Sequence, residues 1–80
     1  MQRLSTLTGN RAALSTASQA VCCYCLRAFH PVDILEWCDE DQAGVGQTAL
    51  CPHCGVDAIV AFAGDLDDDW LRAWNAKLFS

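Results

Sequence analysis

Apolar and polar positions along the chain follow two different rhythms. From Ile34 to Cys38 they alternate, setting Ile34, Glu36 and Cys38 on one face and Leu35 and Trp37 on the other, the period of a strand. Gln47 to Leu50 reads as the returning strand, so Asp33 to Leu50 predicts a β-hairpin. Its connection, Asp39 to Gly46, has the acids and glycines of a solvated loop. Further on, Val56, Ile59, Val60 and Ala63 recur at helical spacing with Gly64 placed to cap them, which favours a helix over a strand for this segment. A second helix is expected from about Asp67 to Phe79. There Asp67, Asp68 and Asp69 suit the N-cap and the positive end of the helix dipole, Leu71, Trp74 and Leu78 line one face, and Trp70 lies beside them. Residues 1–20 show neither period and read as a flexible tail ahead of a domain at 21–80.

Two cysteine pairs flank the hairpin. CCYC places Cys22 and Cys25 two residues apart, and CPHC does the same for Cys51 and Cys54, with 25 residues between the pairs. Two residues between cysteines allow a tight turn to aim both sulfurs at one ion about 2.3 Å away, so two such pairs form a four-ligand set of zinc type. Pro52 stiffens the second turn, and Gly55 can adopt the positive φ such turns often need. CPHC is also the tetrapeptide of strongly oxidising thiol enzymes. Those need a βαβ framework around the dithiol, and only 26 residues, read mostly as helix, follow Cys54. One structural zinc on Cys22, Cys25, Cys51 and Cys54 is therefore expected, with no catalytic set. Cys23 and Cys38 are left over as small, partly buried thiols, and His30 and His53 as solvent-facing or hydrogen-bonded side chains.

A knuckle, a hairpin, then a knuckle running into a helix make a small α+β, treble-clef-like finger with an added C-terminal helix. The alternative is a zinc ribbon, in which Asp57 to Phe62 would be a strand. An eighty-residue chain buries only about 60% of its unfolded surface, which leaves a marginal core and gives a metal staple physical purpose.

Charge narrows the function classes. Val21 to Ser80 carries all ten acids against Arg27, Arg72 and Lys77, a net of minus seven, and four thiolates on one divalent ion add about two negative charges. Nucleic-acid binding draws its affinity from Lys and Arg contacts to phosphates, so it is disfavoured. Residues 1–20 lack the hydrophobic centre of a secretory signal, and no run approaches the roughly 18 apolar residues of a membrane span, so a cytoplasmic location is expected.

The wording CYCLRAF, ILEW, TALCPHCGVDAIV and WLRAWNAKLF resembles a family of short uncharacterised bacterial cytoplasmic proteins across about Val21 to Phe79. Their C-x-x-C-L-R, E-W and T-A-L-C-P-x-C-G motifs fall on Cys22, Cys25, Cys51 and Cys54. Cys23, Cys38 and a longer hairpin loop depart from that pattern. The resemblance implies zinc and cytoplasm and supplies no activity. The expected role is a zinc-stabilised module that binds another protein; an acidic inhibitor or immunity-type protein and a nucleic-acid-binding regulator are the alternatives.

Overall fold

A computed structural model describes residues 2–79. Strands β1 (Gln2–Arg3), β2 (Gln19–Cys22), β3 (Ala28–Phe29) and β6 (Ile59–Ala63) form an antiparallel sheet in the order β1-β6-β2-β3. Strands β4 (Trp37–Glu40) and β5 (Gly46–Ala49) form a separate hairpin, and the helices are α1 (Arg11–Thr16) and α2 (Asp68–Phe79).

The segment after the second cysteine pair corrects the sequence reading. Residues 59–63 form β6, paired with β2 through Cys22↔Ile59 and Val21↔Val60 and with β1 through Arg3↔Phe62, in place of the expected helix. Ile59, Val60, Ala61 and Phe62 are all buried, so both strand faces meet apolar neighbours. A strand covered on both faces shows a continuous apolar run, and within Ala58 to Ala63 such a run also satisfies helical spacing. The second knuckle thus leads into a strand, the arrangement the zinc-ribbon alternative expected there.

The flexible tail is corrected as well, and with it the domain boundary at residue 21. Residues 2–18 carry β1 and α1 and join the fold through polar side chains. The Leu4 amide donates to Ala61 O at 2.8 Å, and Ser5 Oγ accepts the Ala61 amide at 2.9 Å. Asn10, almost wholly buried, donates from Nδ2 to Ile59 O at 2.8 Å and accepts the Ala49 amide on Oδ1 at 3.0 Å. One side chain thereby fastens β5 to β6. Gly9 N–H donates to Thr48 Oγ1, which itself donates to Asp39 Oδ2. Ser, Thr and Asn read as tail composition, yet here they satisfy backbone groups that the sheets leave open.

Arginines supplied by this segment cover tryptophans of the rest. The Arg11 guanidinium lies 4.0 Å from the Trp37 ring centroid and donates from Nε to Gly46 O, while Arg3 lies 5.5 Å from the Trp74 ring. Cation–π contacts of this kind draw the positive arm onto the acidic body.

The hairpin keeps its expected place but starts later, at Trp37, because Pro31–Asp33 form a 3₁₀ turn capped by His30, whose Nδ1 accepts the Val32 amide. His30 is extended, as a residue before proline should be. Asp41 Oδ1 accepts the Ala43 and Val45 amides and so organises the loop. Gly46 is sterically required: a Cβ there would sit 2.5 Å from Trp37 Cβ. Helix α2 matches the expected span, with Asp67 Oδ1 accepting the Trp70 amide as N-cap. Leu71 is buried and Trp70 and Trp74 are half-buried, packed against the core.

Candidate metal centre

Both cysteine pairs lie in turns of the same design. In the first, between β2 and β3, the Cys22 amide donates to Arg27 O and the Leu26 amide donates back to Cys22 O, each at 2.9 Å. In the second, between β5 and β6, the Cys51 amide donates to Val56 O at 3.0 Å and the Gly55 amide to Cys51 O at 2.9 Å. The residue four after each leading cysteine is left-handed, Leu26 at φ 64° and Gly55 at φ 78°. Glycine takes that conformation freely; leucine takes it under strain.

The two turns face each other and bring four sulfurs together, with the Sγ atoms of Cys22, Cys25, Cys51 and Cys54 all within 4.8 Å of one another. Cys22 Sγ lies 3.6 Å from Cys54 Sγ, and Cys25 Sγ 3.7 Å from Cys51 Sγ. A tetrahedron of about 2.3 Å zinc–sulfur bonds has edges of about 3.8 Å, so the sulfurs already stand near the spacing one ion requires. All six cysteines are free thiols, so these four are available to a metal ion. The donor set fits a single divalent ion.

Backbone amides prepare the sulfurs for negative charge. Cys25 N–H donates to Cys22 Sγ and His53 N–H to Cys51 Sγ, each at 3.4 Å. Burial raises the Cys22 thiol far above its ordinary value, against the amides of Cys25 and Tyr24, and it raises Cys25 against the amide of Arg27. At Cys51 burial also pushes upward, but the amides of Cys54 and His53 and the adjoining thiols outweigh it, leaving the group lowered. Hydrogen bonds to the charged form and desolvation thus oppose each other at every one of these three sulfurs. A divalent ion tips that balance toward thiolate.

The remaining candidates sit apart from the ligand set. Cys23 is fully buried with its side chain in the core, and burial lifts its thiol to about 11 despite the Arg3 charge. Cys38 is half-buried in β4 opposite Thr48, with desolvation and the carboxylates of Asp39 and Asp57 raising it. His30 caps the 3₁₀ turn. His53 Nδ1 is 3.5 Å from Arg27 Nη1, its donor, and its ring meets Phe29 edge-on at 5.8 Å, so Arg27 and His53 join one knuckle to the other.

Sequence reasoning missed Asn75. From α2 its Nδ2 donates to Cys23 O at 2.8 Å and to Tyr24 O at 3.0 Å, the two carbonyls inside the first C-x-x-C, while Tyr24 packs edge-on against Phe79 at 4.9 Å. The readable signal was a polar residue four positions after Leu71, on the face that the helix turns inward. In comparisons with known proteins, the chain matches no family model, no curated protein and no solved structure. Among the described residues, no helix is long and apolar enough to cross a membrane.

Proposed function

We propose that this chain is a zinc-ribbon-like domain in which one structural zinc, held by Cys22, Cys25, Cys51 and Cys54, fixes a small protein-interaction module. The observation that carries the metal assignment is the near-tetrahedral spacing of four thiols between two matched knuckles. All-thiolate tetrahedral sites suit zinc, and four protein ligands leave no open position at which the ion could activate water. The ion therefore holds structure and takes no part in a reaction. Native mass spectrometry is expected to find one zinc per chain, and excess chelator to abolish cooperative unfolding. A metal-free protein with an unchanged transition would refute the assignment.

The interaction role draws on the surface. Val32 and Leu35 are 73% and 83% exposed, the most open large apolar residues among those described, and they stand on and just after the proline-stiffened turn, beside Asp33 and Glu36. Apolar side chains set among acids suit a protein partner with a basic rim, since complementary charge speeds encounter and apolar contact holds it. Trp70 and Trp74 of α2, half-buried against the core and with Arg3 and Lys77 over the Trp74 ring, serve packing first. Exchanging Leu35 for Lys in the zinc-loaded protein should weaken capture of the native partner by tenfold or more. Equal capture would remove this turn from the interface.

A further inference from the structure

The contact between α2 and the first knuckle has a specific chemical geometry. The Cys23–Tyr24 peptide plane carries Cys23 O and the Tyr24 N–H; the Tyr24–Cys25 plane carries Tyr24 O and the Cys25 N–H. In a trans peptide the two groups point in opposite directions, and no cis bond interrupts this turn. Both carbonyls accept from Asn75 Nδ2, at 2.8 and 3.0 Å. On the other side of the second plane the Cys25 N–H donates to Cys22 Sγ at 3.4 Å. One side-chain amide therefore grips the outer edges of two successive peptide planes, and the inner edge of the second holds the sulfur.

We propose that Asn75 is a positioning residue of the metal centre, which orients and polarises the Cys25 amide toward Cys22 Sγ and so couples docking of α2 to zinc binding. A peptide whose carbonyl accepts a hydrogen bond becomes a stronger donor at its N–H. Fixing both planes also removes turn conformations in which the Cys25 amide faces away from the sulfur. By linkage, whatever Asn75 adds to zinc affinity, bound zinc adds to docking of the helix. Leu71 is the one buried residue of α2, so this polar clasp, together with Phe79 on Tyr24, bears much of the attachment of its C-terminal half. The inference rests on the zinc reading above.

Competition of the full chain against a chromophoric zinc chelator tests it, with wild type, Asn75→Ala, Asn75→Asp and Leu71→Ala compared. Asn75→Asp keeps the shape but removes both donors and sets an acceptor against two carbonyls. Outer-shell partners of metal ligands are typically worth about 10- to 100-fold in affinity, so both Asn75 variants should bind zinc at least about tenfold more weakly. In proton–nitrogen correlation spectra of the zinc-loaded Asn75 variants, the Cys25 amide proton should move upfield and exchange faster. Leu71→Ala loosens the same helix away from the knuckle and lowers stability and apparent affinity through the fold alone, so in the zinc-loaded variant the Cys25 amide should keep its wild-type shift. Wild-type affinity or an unshifted Cys25 amide in Asn75→Asp would overturn the proposal, as would an equal shift of that amide in Leu71→Ala. Should the Asn75 variants not fold, the zinc-loaded wild type decides: slow exchange of the Asn75 side-chain protons supports the clasp, and rapid exchange at random-coil shifts overturns it. Absence of zinc binding in the wild type would instead defeat the metal assignment.

Discussion

Leu26 and Gly55 occupy equivalent places in the two knuckles, and the difference between them is measurable. Gly55→Ala meets no atom within 4 Å, so its cost is purely that of a left-handed L-residue, about 1 to 2 kcal/mol. That should lower the melting temperature of the zinc-loaded protein by roughly 4 to 16 °C. Leu26→Gly releases the same strain and gives back about 0.5 to 1 kcal/mol in chain entropy, so it should raise the midpoint by a few degrees. Thermal unfolding followed by circular dichroism reads both, and opposite signs are the expected result. The thiols divide as sharply. Cys23, fully buried and raised to about 11, should alkylate at least about tenfold more slowly than half-buried Cys38, as mass-resolved iodoacetamide kinetics on the zinc-loaded protein would show.

Among the elements, the N-terminal segment contributes what its composition concealed. Asn10→Ala strands the Ala49 amide and deprives Ile59 O of its donor in a buried place, and each such loss costs about 1 to 3 kcal/mol. Chemical denaturation should therefore show a loss of about 2 to 6 kcal/mol, and a loss under about 1 kcal/mol would mean that the segment is not docked. The four-sulfur set was legible in the sequence because a C-x-x-C turn is a local object whose spacing alone aims its ligands. The hairpin and α2 were legible through local signals too, the acids and glycines of the Asp39 to Gly46 loop and the Asp67 cap, whereas the alternation at Ile34 to Cys38 set the first strand too early. Strand β6 was not, since its periodicity is ambiguous and its two-sided burial depends on β1 and β2, elements distant in sequence. Asn10 and Asn75 act across 39 to 52 residues, a separation that no local pattern encodes.

At the scale of the whole molecule, the ion is expected to decide whether the chain folds. Structural zinc in finger peptides binds with about 10 to 16 kcal/mol, which matches or exceeds the total stability of a small domain. Removing it should leave a chain without a cooperative transition, a change that intrinsic tryptophan fluorescence follows directly. Acid should act in the same direction. Burial holds Cys22 and Cys25 as neutral thiols above their ordinary titration range, so binding zinc expels their protons. The bound ion's contribution is thus greatest at high pH and declines as pH falls, by at least roughly tenfold in affinity per pH unit below neutrality. Chelator competition at pH 8, 7 and 6 checks that sign. X-ray absorption at the zinc edge of the purified protein tests the central claim most directly. The account predicts one zinc surrounded by four sulfurs at about 2.3 Å. A centre with fewer than four sulfurs, or protein that binds no zinc while remaining folded, would contradict it.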